Sequence, residues 1–246
     1  MSIRARVESL FLSRLGLLLL PRGCAGCGSP DTVLCADCRS LFDKRLARSV
    51  YGVTAGAVAC AQYTGAARLA VLAWKDHDDR ECDIPFAACL ARAALDLPEV
   101  RSAPSIVLIP VPSSEASARA RGRQHMAVLV KRVCRILREQ HGKDATVVGM
   151  LAAVGHKRSV QLSNARQRVD RADARFRMRG SYRVHPESMV LLFDDIITTG
   201  STMRACVGTL TSAGVVVHAV LALADTPARG TRPVAHQAES PASMAG

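Results

Sequence analysis

From residue 57 onward, apolar positions gather in short unbroken runs separated by longer stretches with helical spacing. "AVACAQY" (57–63), "SIVLIPVP" (105–112), "ATVVGML" (145–151), "SMVLLFDD" (188–195) and "VVVHAVLALA" (215–224) read as strands. They are apolar throughout rather than alternating, as in strands covered on both faces. "GAARLAVLAWKD" (65–76), a stretch near 83–96, the basic segment 121–142 and "STMRACVGTLTSAG" (201–214) read as helices, the last two closed by a glycine. The alternation predicts an α/β fold: a parallel sheet of near five core strands, flanked by helices. "SYRV" (181–184) reads as a further short strand. Residues 155–180 are polar, Arg-rich and poorly periodic, and read as a mobile segment with some helix. Residues 2–20 read as an amphipathic helix with Val7, Leu10, Phe11, Leu15, Leu18 and Leu19 on one side. The Pro-, Ala- and Ser-rich end reads as disordered. The expected organisation is an N-terminal helix and cysteine module over 1–48, an α/β domain over 49–225 and a disordered tail over 226–246.

Composition narrows this picture. The 246 residues are 49% hydrophobic, enough for a full core, and only 4% aromatic, which argues against a reader of single strands built on stacking platforms. The net charge of +12 makes polyanions plausible partners. Residues 119–143 hold eight Lys or Arg against one acid, and residues 157–183 nine against two. Each stretch reads either as a solvated face or as a phosphate-binding one. No run reaches the roughly 18 apolar residues of a membrane-spanning helix. "LFLSRLGLLLLP" is interrupted by Arg14 and lacks a small-x-small cleavage site, so it reads as neither signal peptide nor anchor. The expectation is a cytoplasmic protein without membrane insertion.

Nine cysteines suit a reducing compartment better than a disulfide framework. Four form one unit, "CAGCGSPDTVLCADC", in which Cys24, Cys27, Cys35 and Cys38 make two C-x-x-C knuckles. Four thiolates close a tetrahedral site with no open position, so the spacing predicts structural zinc, with a redox dithiol as the competing reading. Cys60, Cys82, Cys89, Cys134 and Cys206 sit singly in apolar surroundings and read as core residues.

The chemistry concentrates in "LLFDDIITTGST" (191–202). Asp194 and Asp195 fall at the carboxyl end of a buried strand, where ligands sit in open α/β sheets. Thr198, Thr199, Gly200, Ser201 and Thr202 lead into the next helix, whose first N–H groups are unpaired and carry partial positive charge. Gly200 lets the backbone approach a phosphate or take positive φ. The acids suit sugar hydroxyls or a divalent cation. Phosphate and diol side by side imply a phosphorylated ribose. A helix cap plus a turn would explain neither the second acid nor so many hydroxyls, and no Walker loop is present.

"VLLFDDIITTGST" (190–202) resembles the 13-residue signature of type I phosphoribosyltransferases. Over roughly residues 15–225 the chain resembles the ComF family of competence-associated, phosphoribosyltransferase-like proteins. The shared features are the four cysteines, Pro110-Val111-Pro112, Arg121-Gly122 and the Arg/Gln-rich 155–180 segment. The family's Arg-Gly-aromatic-Asn-Gln element reads Arg-Gly-Arg-Gln-His here (121–125), and its loop pattern is met only through Gln161, Leu162 and Arg166. The resemblance implies a type I phosphoribosyltransferase-like sheet that binds phosphoribosyl pyrophosphate. Residues 198–202 would hold the 5′-phosphate, Asp194 and Asp195 would face the ribose hydroxyls, and the loop after "IPVPSS" would meet the pyrophosphate with magnesium. Lys157, Arg158 and Arg166 would close over the leaving group. Thr198 stands where hypoxanthine-type relatives carry an Asp. No residue announces an acceptor, and His77, His156 and His218 carry no assigned role. Two functions stand side by side: a phosphoribosyltransferase with an unknown acceptor, and a non-catalytic DNA-uptake accessory protein that binds single-stranded DNA or a competence helicase. A plain zinc-ribbon nucleic-acid binder leaves the signature unexplained.

Overall fold

The computed structural model describes residues 22–154 and 175–226. The expected N-terminal helix, the residues Lys157, Arg158 and Arg166, and the tail from 227 lie outside the described residues.

The chain is α/β. A short helix α1 (Ala36–Ser40) closes the cysteine module and leads to strand β1 (Leu46–Arg48). β2 (Ala57–Gln62), α2 (Gly65–Asp76), α3 (Asp83–Leu95), α4 (Pro98–Ser102) and β3 (Ser105–Pro110) follow. Then come α5 (Glu115–Arg121), α6 (His125–His141), β4 (Ala145–Val147), β5 (Leu151–Ala153) and β6 (Phe176–Met178). The last elements are β7 (Ser188–Ile197), α7 (Ser201–Ser212) and β8 (Ala219–Asp225). Six strands form one sheet in the order β1-β2-β8-β7-β3-β4, and β5 pairs with β6 in a separate hairpin. Five of the six are parallel, and only β1 joins antiparallel, on β2.

The uninterrupted apolar runs have the cause the sequence implied. β8 is buried at every position and β2 at all but its last, because helices cover both faces. Side chains alternate between the two cores: Leu191 and Phe193 of β7 pack with α2, α3 and α6, while Val190 and Leu192 pack with α7. The cysteine module belongs to the first of these cores, where Cys24, Leu34, Cys38 and Phe42 join Trp74 and Phe86. Its approach to α2 is close enough to require glycine. A Cβ on Gly26 would lie 2.7 Å from Cys38 Sγ and 3.0 Å from the Ala66 carbonyl oxygen. Arg22 ties the start of the module to the turn after α2 through Asp79, at 2.7 Å, and Glu81.

Sheet order creates the functional end. From β3 the chain moves outward through α5 and α6 to β4, and from β7 it moves the other way through α7 to β8. The connections therefore diverge between neighbouring β3 and β7, and a crevice opens at their carboxyl ends. Pro110 is paired with Phe193 there, and the Val111 N–H donates to the Phe193 carbonyl at 2.8 Å.

Several boundaries differ from the sequence reading. β7 runs two residues past the acids, to Ile197. The basic helix expected over 121–142 starts only at His125: Arg121 ends α5, and residues 122–124 separate it from α6. The single strand expected over 145–151 is split: β4 ends at Val147, and β5 begins only at Leu151. Residues 181–184 form no strand, and the partner of β5 is Phe176–Met178. Strand pairs this short carry too few residues for a periodic signal.

Candidate functional site

Because successive strand residues face opposite sides of a sheet, Asp194 and Asp195 cannot share one environment. Asp194 follows the parity of Val190 and Leu192 toward α7. Asp195 follows Leu191 and Phe193 toward α2 and α6. Both are buried, at 6% and 8% exposure, and both line one cavity of about 230 Å³. On the α2 side, Lys75 Nζ lies 2.7 Å from Asp195 Oδ2, and His125 Nε2 lies 3.0 Å from the same oxygen. Among the described residues Asp194 has no such partner; its Oδ1 accepts the Asp195 backbone N–H at 2.8 Å.

The two carboxyls titrate apart as a result. Burial pushes Asp194 up, and the adjacent Asp195 charge pushes it further, to about 7. Burial acts in the same direction on Asp195, but the His125 hydrogen bond and the Lys75 ammonium outweigh it and hold that carboxyl down, at about 2. The site presents one ionised acid and one that shares its proton near neutrality.

The loop after β7 has the form a phosphate cradle needs. Gly200, at φ 75°, is the N-cap of α7 and supplies no side-chain cap; of the first N–H groups of the helix, that of Ser201 meets Thr199 Oγ1 at 3.4 Å. Thr198 and Thr199 are exposed, and Ser201 and Thr202 half-buried. The Thr199 hydroxyl donates to Ser201 Oγ at 3.2 Å. Two arginines brace the loop by its carbonyls: Arg48 on Thr198, at 2.8 Å, and Arg204 on Thr199, at 3.1 Å. Of the residues singled out in the sequence, Asp194, Asp195 and Thr202 line the cavity. Thr198, Thr199, Gly200 and Ser201 form the loop beside it.

Sequence reasoning missed Lys75, His125 and Arg48. His125 is held from three sides. Its Nδ1 meets Ser113 Oγ at 3.3 Å, its Nε2 meets Asp195, and the Trp74 ring stands edge-on to it with centroids 5.0 Å apart. The neighbouring Gln124 accepts the Ser113 N–H at 3.3 Å, which latches the loop after β3 to the start of α6. Beneath them, Asp83 is 2% exposed and accepts from Trp74 Nε1 at 2.6 Å and from Arg123 at 2.8 Å. Residues 121–125 stood out in the sequence only as Arg-Gly-Arg-Gln-His; Arg123, Gln124 and His125 each make one of these contacts.

The cysteine prediction has a direct geometric counterpart. The sulfurs of Cys24, Cys27, Cys35 and Cys38 lie within 4.8 Å of one another, the span of a set that could bind a single zinc ion. Backbone N–H groups of Gly26 and Cys35 point at Cys24 Sγ, at 3.4 and 3.3 Å. Burial favours the neutral Cys24 thiol, but these donors outweigh it and bring the thiol down to about 6. Cys60, Cys82, Cys89, Cys134 and Cys206 are buried core residues. Among the described residues no helix is long and apolar enough to cross a membrane.

No protein-family model matches the chain, and no curated protein does. Similar solved structures include a hypoxanthine phosphoribosyltransferase from Staphylococcus aureus, at 15% identity over 59% of this chain and 65% of that one, TM-score 0.34. An orotate phosphoribosyltransferase from Aeropyrum pernix overlaps at 17% identity over 61% and 62%, TM-score 0.33. An adenine phosphoribosyl transferase from Trypanosoma brucei, in complex with AMP, pyrophosphate and ribose-5-phosphate, overlaps at 13% identity over 68% and 76%, TM-score 0.34. The chain spans less than two thirds of the first two structures. At such TM-scores the overlap carries no functional argument.

The acid pair makes a pH prediction. Asp194 is raised in the folded state, so between its unfolded value of about 4 and its folded value of about 7 the native protein binds the extra proton. Its contribution to stability is therefore lost as pH rises through that window. Asp194→Asn removes this loss, so the variant gains stability relative to the unaltered chain from about pH 4 to about pH 7. Urea denaturation across that range checks it, and stability curves that stay parallel would contradict it.

Proposed function

We propose that this crevice binds phosphoribosyl pyrophosphate and supports phosphoribosyl transfer, as in a ComF-like, type I phosphoribosyltransferase-like protein. The observation that carries the reading is the junction of two elements. A helix N-terminus capped by a left-handed glycine stands beside two buried acids on the strand that feeds it. The 5′-phosphate sits on the N–H groups and hydroxyls of 199–202. The ribose hydroxyls face Asp194 and Asp195. Ser113, Ser117 and Arg121 line the cavity on the β3 side and face the leaving pyrophosphate. Cleavage of the bond from C1 to pyrophosphate leaves positive charge on the sugar and negative charge on the leaving group. The chain's part is to hold both ends and stabilise those charges. Lys157, Arg158 and Arg166 complete the proposal as cations that close over the pyrophosphate. Phe176, on the β5–β6 hairpin, lines the same cavity and flanks the segment that carries them.

At the acids magnesium, implied by the resemblance, would compete with Lys75 and His125, which already engage Asp195 Oδ2. Any magnesium belongs with the pyrophosphate oxygens of the ligand. Zinc fits the cysteine set, and its work there is to hold the knuckle against α2. The accessory-protein reading, with single-stranded DNA or a helicase as partner, has one observation in its favour. Lys131, Arg135 and Arg138 are exposed along one stripe of α6.

Calorimetry with inorganic phosphate, ribose 5-phosphate and phosphoribosyl pyrophosphate tests the ligand. Replacing Thr199 and Ser201 by Ala weakens all three, by about 1.5–3 kcal/mol for each lost bond to a charged group, or roughly 10- to 150-fold. Asp194→Asn and Asp195→Asn weaken the ribose ligands and spare inorganic phosphate, Asp195→Asn more strongly because Asp195 is the ionised member. If the folded chain binds none of the three, the accessory-protein reading takes over.

Freshly purified protein carries close to one zinc per chain, and Cys35→Ser loses it. Elemental analysis that finds little zinc in the unaltered chain, or unchanged zinc in the variant, contradicts the assignment.

A further inference from the structure

We propose that the Lys75 ammonium takes the place of a divalent cation at Asp195, so that the sugar half of the ligand is recognised without magnesium. This rests on the phosphoribosyl reading above and specifies how its ribose site works.

The first ground is occupancy. Asp195 Oδ2 already receives two donors, Lys75 Nζ at 2.7 Å and His125 Nε2 at 3.0 Å. On the neighbouring acid, Asp194 Oδ1 receives the Asp195 N–H at 2.8 Å. A magnesium ion requires near-octahedral oxygens at about 2.1 Å and binds through free carboxylate oxygens.

The second ground is that Lys75 is placed rather than merely nearby. It occupies the last turn of α2, next to Trp74. Trp74 is fully buried and its indole N–H is fixed by Asp83 at 2.6 Å. The helix end is therefore pinned, and from it Lys75 Nζ meets Asp195 Oδ2 on β7 at 2.7 Å. The cysteine module packs against the opposite end of the same helix. A charge delivered by a pinned helix can act as a fixed counter-ion.

The third ground is chemical complementarity. An ammonium has three donors and no acceptor. One donor serves Asp195, and Lys75 also lines the cavity, where its other donors reach a ligand. A sugar hydroxyl both donates and accepts. A carboxylate beside an ammonium offers it both partners, which a carboxylate with a hydrated dication does less directly.

Ribose 5-phosphate separates this from the pyrophosphate end, because it lacks the group that carries magnesium into such sites. Calorimetry is run in chelator and in excess magnesium for the unaltered chain and for Lys75→Met, with inorganic phosphate as the control for an intact loop. The unaltered chain should bind ribose 5-phosphate equally well in both. Lys75→Met should lose about tenfold or more in chelator, equivalent to about 1.4 kcal/mol, recover part of it in magnesium, and bind inorganic phosphate unchanged. A magnesium requirement in the unaltered chain overturns the inference without needing the variant. A variant that binds like the unaltered chain overturns it too, as does a loss that magnesium leaves untouched. If the unaltered chain binds phosphate but no ribose 5-phosphate under either condition, both the inference and the underlying phosphoribosyl reading fall.

Discussion

The period of two along a β-strand is the constraint on which this site depends. Two consecutive acids at the end of β7 must enter the two layers of a three-layer fold, and each layer treats its acid differently. On the α2 and α6 side, a lysine and a histidine meet Asp195 within 3.0 Å. On the α7 side the surroundings are apolar, and Asp194 answers burial by holding its proton to about 7. Burying an unpaired carboxylate costs several kcal/mol, far more than one hydrogen bond returns, so the asymmetry follows from packing. It yields a hydrogen-bond acceptor and a group able to donate on neighbouring residues, which suits a diol.

What keeps Asp195 ionised is built some distance away. Lys75 arrives on a helix that starts beside β2, two strands from β7 in the sheet. Its end is fixed by the Trp74–Asp83–Arg123 network, in which Asp83 is 2% exposed. Removing one partner of such a buried pair would cost about 3–5 kcal/mol, so the network is a strong determinant of where α2 ends. At its other end α2 carries the cysteine module, pressed close enough to exclude any Cβ on Gly26. The cysteine knuckle and the charge at the acid pair are thus borne by one helix whose flanks share one core.

Legibility in the sequence followed the range of the interaction. The β7–α7 step was readable because strand, acids, hydroxyls, glycine and helix are contiguous, and α7 begins at Ser201 as the pattern predicted. The knuckles were readable because four cysteines at fixed spacing leave few alternatives, and α2 was readable residue for residue. That Lys75 would meet Asp195 was not readable, since the contact depends on the order β2-β8-β7, which no local pattern encodes. Arg48 escaped notice because β1 has three residues and no periodicity. His125 was visible only as a departure within 121–125, and its bond to Asp195 spans 70 residues of chain.

The most direct measurement of the central claim is a crystal structure of the protein soaked with ribose 5-phosphate. The phosphate oxygens should lie on the N–H groups and hydroxyls of 199–202, within about 3 Å, and the ribose hydroxyls on Asp194 and Asp195 with Lys75 still beside Asp195. A ligand bound elsewhere, or one whose phosphate rather than its sugar meets the acid side of the crevice, would contradict it.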